Sequence, residues 1–180
     1  RPSISKITLN SKRSGKAKPK KAKRCRILKW EDFKAPLPEL PNYYANNRWY
    51  ITYTYNVYFG KNGTKITVNT ECIFDEDNSW VDPSRKNDLA LLKHEQGHLD
   101  IGYIAALELK RRILQEKLDP DTYRTQIDNI YQKTLAEYIE IEKLYDKETQ
   151  NYLNQENQRK WDQIIVQKII DLYEYWPKTV

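Results

Sequence analysis

The run LLKHEQGHLDI, residues 91–101, constrains this 180-residue chain more than any other stretch. It sets His94 and His98 four positions apart, with Glu95 directly after the first, and the chain has no other histidine. Residues four apart stack one turn above each other on a helix, so two imidazoles on one face can reach a single ion while the glutamate turns to a water beside it. The ion expected is Zn2+, one per chain, because neutral imidazole nitrogen is a favoured zinc ligand and a catalytic zinc keeps one position open. His94 and His98 are the expected metal ligands and Glu95 the general base. With both histidines on one helix, a structural zinc site of cysteine and histidine is not expected.

Charge is divided unevenly. Of the 31 Lys and Arg residues, twelve lie in residues 1–29, which hold no Asp or Glu; the remainder carries 19 basic against 25 acidic residues. Residues 1–24, rich in Lys, Ser and Gly, therefore read as a basic disordered leader, a solubilising linker or an electrostatic tether. The acidic remainder, residues 25–180, offers no basic face for nucleic acid, so no nucleic-acid partner is expected. No stretch approaches the roughly 18 apolar residues of a membrane span. The chain starts at Arg1 and has no Met, which fits a processed chain. Its two cysteines, Cys25 and Cys72, are compatible with one disulfide or with two free thiols.

The folded part is expected to begin near ILKWEDF, residues 27–33, where large apolar residues first cluster. Pro36, Pro38 and Pro41 then impose an extended connection. Residues 48–59, RWYITYTYNVYF, alternate aromatic and β-branched residues as a strand does, and 64–74 repeat the pattern after an Asn-Gly turn, which predicts an antiparallel hairpin. Its tyrosines fit an amphipathic sheet surface or one wall of a peptide groove. A helix is expected from Asp82 or Ser84 to about Lys117, with Leu89, Leu92, Leu99, Ala106 and Ile113 near helical spacing. A second follows Asp119-Pro120-Asp121 with the stripe Tyr123, Ile127, Ile130, Thr134, Tyr138, Ile141 and Tyr145, and a third carries Trp161, Ile165, Ile169 and Trp176. The class is α+β: a small antiparallel sheet followed by a layer of long helices.

The short turn makes the first two helices antiparallel neighbours, which sets residues near 141 and 145 level with His98 and His94. A carboxylate facing the histidines is the usual third zinc ligand. Glu137, Glu140, Glu142, Asp146 and Glu148 all stand within a turn or two of that level.

Together the WEDF element at 30–33, the hairpin, the Ser79-Trp80-Val81 element, HEQGHLDI, the YDKET element at 145–149, Gln158 and Trp161 resemble a bacterial domain family described as predicted secreted zinc-dependent proteases. The resemblance implies a zincin-like domain in which His94 and His98 bind zinc, Glu95 is the general base, and Tyr145 and Asp146 serve the site. The family pattern has a histidine, a natural third ligand, two residues after the YDxxT threonine, where this chain has Asn151. The function expected is a zinc-dependent metallopeptidase that hydrolyses peptide or protein substrates outside the cytoplasm, secreted or in the periplasm or cell envelope, with Tyr145 or zinc stabilising the oxyanion. The alternative is a catalytically faded relative that binds protein or peptide at the cell envelope.

Overall fold

The computed structural model describes Pro19 and residues 21–177. Within them the chain forms β1 (Ala45–Asn46), β2 (Trp49–Gly60), β3 (Gly63–Phe74), β4 (Trp80–Val81), α1 (Leu89–Gln115), α2 (Tyr123–Thr149) and α3 (Gln155–Asp171). This is the α+β arrangement that the sequence pattern predicts. The strands form two separate two-stranded antiparallel sheets, β2 with β3 over their full lengths and the short β1 with β4. No helix among the described residues is long and apolar enough to cross a membrane.

The hairpin follows from its turn and its alternation. Lys61 and Asn62 make the turn, and Gly63 takes φ +103°, a conformation that L side chains rarely adopt. Along β2, Tyr50, Thr52, Thr54, Asn56 and Tyr58 are exposed, whereas Ile51, Tyr53, Tyr55, Val57 and Phe59 turn inward. These inward rings pack on α2: Tyr53 lies 4.9 Å from Tyr131 and Phe59 5.4 Å from Tyr123. Most of the strand's aromatic surface therefore serves packing, and Tyr50 is the strand tyrosine that lines the cleft described below.

α1 is the central element, covered by the hairpin, α2 and α3. Every residue from Leu99 to Leu109 is buried, so the helix has no solvent face over three turns and shows no narrow apolar stripe. Leu89, expected in that stripe, is exposed at the first turn. At Gly102 a Cβ would lie 2.5 Å from the Trp49 ring and 2.9 Å from Cys72 Sγ, so glycine is what lets the hairpin lie this close to the helix.

α1 begins later than Asp82 or Ser84. Asp82 instead caps a short 3-10 turn at Pro83–Arg85, accepting from the Ser84 amide at 2.8 Å, and Asp88 caps α1 by accepting from the Leu91 amide at 3.0 Å. Between α1 and α2, Asp119 Oδ1 accepts from the amides of Asp121 and Thr122 at 2.9 and 3.2 Å. That turn folds the two helices against each other and brings the end of α2 to the start of α1.

Residues 1–18 of the expected leader, and residue 20, lie outside the described residues. Residues 21–24 do not behave as a leader: Ala22 packs on the core, Lys23 Nζ donates to the Pro177 carbonyl at 3.3 Å, and Arg24 pairs with Asp100 at 2.7 Å. The folded segment therefore starts by Ala22, before the expected boundary at 25.

Candidate metal centre

His94 and His98 project from the first turns of α1 towards the last turns of α2. Their rings stand edge to face, centroids 4.9 Å apart. Asp146 meets both, with Oδ1 lying 3.1 Å from His94 Nε2 and 2.8 Å from His98 Nε2. One ligand atom from each of His94, His98 and Asp146 falls within 4.8 Å of the others, and this set can hold a metal ion.

The surrounding hydrogen bonds determine what these atoms offer. Gln158 Nε2 donates to the Tyr145 hydroxyl at 2.8 Å and to Asp162 Oδ1 at 2.9 Å, which turns its carbonyl oxygen towards His94 Nδ1 at 3.0 Å. Glu142 Oε1 lies 3.1 Å from His98 Nδ1 and accepts from Trp49 Nε1 at 2.6 Å. A carbonyl and a carboxylate only accept, so each Nδ1 must carry its hydrogen. In the neutral imidazoles both Nε2 atoms then present lone pairs towards a carboxylate oxygen. Three acceptors converging on one point require a positive charge between them, and a metal ion held by two Nε2 atoms and one carboxylate oxygen would supply it.

Without such an ion, the charge must come from a proton. Burial disfavours the charged form of His98, yet Asp146 and Glu142 raise its pKa well above the usual imidazole value. Burial likewise disfavours the Asp146 carboxylate, and the two histidines hold its pKa far below the usual range. A metal bound at the same point would displace that proton, the ordinary linkage between metal and proton binding.

Glu95 is 3 % exposed and lines the cleft beside the histidines. Its Oε2 and the Oδ1 of Asn47 are buried polar atoms without a hydrogen-bond partner among the described residues, while Asn47 Nδ2 donates to the Glu95 carbonyl at 2.8 Å. Leaving such an atom unsatisfied costs about 1–3 kcal/mol, so the place suits a water or a ligand group. Burial pushes the Glu95 carboxyl upward against the pull of His98 and His94.

Tyr145 stands behind the histidines. Its ring stacks on His94 at 4.6 Å and 11°, its hydroxyl donates to the His94 carbonyl at 3.0 Å, and it is absent from the described residues that line the cleft. A Cβ at Gly97 would lie 2.2 Å from that hydroxyl, so the glycine of the motif makes room for the tyrosine. Thr149, fully buried, donates to the Tyr145 carbonyl at 2.7 Å, which accounts for the third residue type of the YDxxT element.

The other residues considered as a third ligand have different partners. Glu148 accepts from Trp161 Nε1 at 2.8 Å, Glu140 pairs with Lys143 at 2.6 Å, and Glu137 pairs with Arg112 at 2.6 Å. Asn151 lines the cleft from a turn in which Gln150, Asn151 and Tyr152 have φ of 51°, 50° and 74°. Left-handed backbone costs a non-glycine residue about 1–2 kcal/mol. The turn is held by Asp146, whose carbonyl accepts from the Asn151 amide at 3.0 Å, and by Asp88, which accepts from the Tyr152 hydroxyl at 3.0 Å. Strain of this kind concentrates at functional sites.

The cleft has a volume of about 890 Å³, with the donor set on its floor, the 41–51 segment on one side and α2 on the other. Exposed Tyr43, Tyr44, Tyr50, Ile139 and Leu153 stand around it. Fold and site thus define an α+β protein with a candidate centre of two histidines and one aspartate on a helical HExxH pair. Residues 32–156 match DUF922, a family of bacterial proteins of unknown function, and the chain belongs to that family. No match was found to a curated protein or to a solved structure.

Proposed function

We propose that this protein is a zinc-dependent peptidase acting outside the cytoplasm, with His94, His98 and Asp146 as the metal ligands. The observation that carries the reading is the meeting of two Nε2 lone pairs and one carboxylate oxygen at a point beside a buried glutamate with a free oxygen. Two imidazoles and a carboxylate also suit ferrous iron. Zinc is favoured by Glu95, which follows the first ligand in the motif and has the unpaired acceptor that hydrolysis needs.

Zinc bound there would polarise a water and the carbonyl of a bound peptide. Glu95 Oε2 accepts the proton of the attacking water and passes it to the departing amine, and its burial raises its basicity towards the working range. Gln158 and Glu142 fix the tautomers and planes of the two rings. Tyr145 is a positioning residue whose hydroxyl ties the His94 backbone to Gln158. The size of the cleft and the exposed apolar side chains around it suit a polypeptide substrate.

Asp146 provides a third donor beside the histidines, which supports the peptidase reading over that of a faded, peptide-binding relative. The test is Glu95→Gln in the zinc-loaded protein, assayed on unfolded polypeptide. Zinc content is expected to stay the same, and cleavage to fall by about 10²–10⁴. Cleavage at the parent rate would exclude Glu95 as the base, and a parent chain that holds zinc without cleaving would favour the binding reading.

A further inference from the structure

The two cysteines lie 47 positions apart in sequence, and the segments that carry them come to the same stretch of α1. On one side the N-terminal segment is fastened at residues flanking Cys25. Arg24 Nε donates to Asp100 Oδ2 at 2.7 Å, and the Gln96 side chain donates to the Arg26 carbonyl at 3.0 Å and accepts from the Leu28 amide at 2.8 Å. On the other side the hairpin delivers Cys72, whose Sγ lies 4.0 Å from the Leu99 carbonyl oxygen and 2.9 Å from where a Cβ at Gly102 would stand. Gln96, Leu99, Asp100 and Gly102 span under two turns of the helix, so Cys25 and Cys72 are carried over the same stretch of it. Each thiol perturbs the other, with Cys25 exposed and Cys72 partly buried.

We propose that Cys25 and Cys72 close an intramolecular disulfide on meeting a disulfide-bearing oxidant, locking the N-terminal segment to the hairpin across the helix that carries the HExxH motif. The exposed Cys25 thiolate attacks a sulfur of the oxidant, forming a mixed disulfide and releasing one oxidant thiol. Cys72 then gives up its proton and attacks Cys25 Sγ, forming the Cys25–Cys72 bond and expelling the second oxidant thiolate, which takes up the proton. Two protein thiols are oxidised and one oxidant disulfide is reduced to two thiols. The order follows from access, and the neighbouring thiols assist it, Cys72 lowering the pKa of Cys25 and Cys25 raising that of Cys72. The inference stands apart from the metal reading, since neither sulfur belongs to the donor set.

The experiment treats the full chain with oxidised glutathione, alkylates the remaining thiols and measures the mass. The expected product is a monomer lighter by two hydrogens, without alkyl groups, in which the peptides containing Cys25 and Cys72 remain joined after digestion. Its thermal midpoint is expected to lie about 5–15 °C above that of the reduced chain, the scale expected for a cross-link closing a loop of this length in a domain of this size. Cys25→Ser, a change at an exposed position, should remove the rise while leaving the reduced-state midpoint where it was. Two alkylatable thiols after oxidation, glutathione retained on Cys25, or disulfide-linked dimers would each overturn the proposal.

Discussion

At Asp146 a single carboxylate oxygen determines what the two histidines can do. His94, Glu95 and His98 were legible because helical periodicity alone puts residues four apart on one face. Asp146 was only one of several residues at the right level, because folding two helices about a turn gives the height of a residue to within about a turn and does not give the direction of its side chain. The structure selects Asp146 through its contacts with both Nε2 atoms, while Trp161, Lys143 and Arg112 engage Glu148, Glu140 and Glu137. Tyr145 shows the same limit: its place in the apolar stripe was visible, but its hydroxyl faces the His94 carbonyl and not the cleft. Tyr145→Phe should therefore cost about 1–2 kcal/mol of stability in a urea titration, the usual loss for one buried hydrogen-bonding group, with most activity retained. A 10²–10³ fall in turnover with unchanged stability would instead give the hydroxyl an oxyanion role.

Among the elements, the hairpin was readable to within a residue or two because Asn-Gly turn chemistry and alternating side chains report the same register. The start of α1 was not. Asp82, Ser84 and Asp88 are all competent caps, and only the packing of the segment shows that Asp82 serves a 3-10 turn and Asp88 the helix. The exit of α2 was also hidden, since Gln150, Asn151 and Tyr152 carry no glycine to announce a left-handed turn. Their conformation is imposed by bonds to Asp146 and Asp88, one of which faces the histidines while the other caps their helix. Exposed Gln150 has no comparable tie through its side chain among the described residues, so Gln150→Gly should relieve local strain. Thermal or urea unfolding should show a gain of about 1 kcal/mol with zinc affinity unchanged. A loss of stability would mean that the left-handed backbone is not strained there.

Over the whole molecule, charge composition separated a basic N-terminal region from an acidic body but misplaced the junction between them. Arg24 belongs by composition to the basic run, yet its guanidinium neutralises Asp100, which is 1 % exposed and whose carboxyl burial pushes up to about 6. Removing one partner leaves the other buried and charged or forces it to protonate, so Arg24→Ala should lower stability by about 1–3 kcal/mol. A change within error would show that the segment is held by its backbone contacts alone. This segment, the hairpin, α2 and α3 are packed around α1, and the donor set draws on two successive helices, with Asp146 lying 52 and 48 positions beyond His94 and His98. The most direct test is therefore a zinc titration of the metal-stripped chain against a competing chelator, beside Asp146→Ala and Glu148→Ala. One equivalent should bind to the parent and to Glu148→Ala, while Asp146→Ala should weaken binding by more than the 10–100-fold typical of losing a residue that merely supports a ligand. Zinc binding that is indifferent to Asp146→Ala, or lost in Glu148→Ala alone, would contradict the assignment.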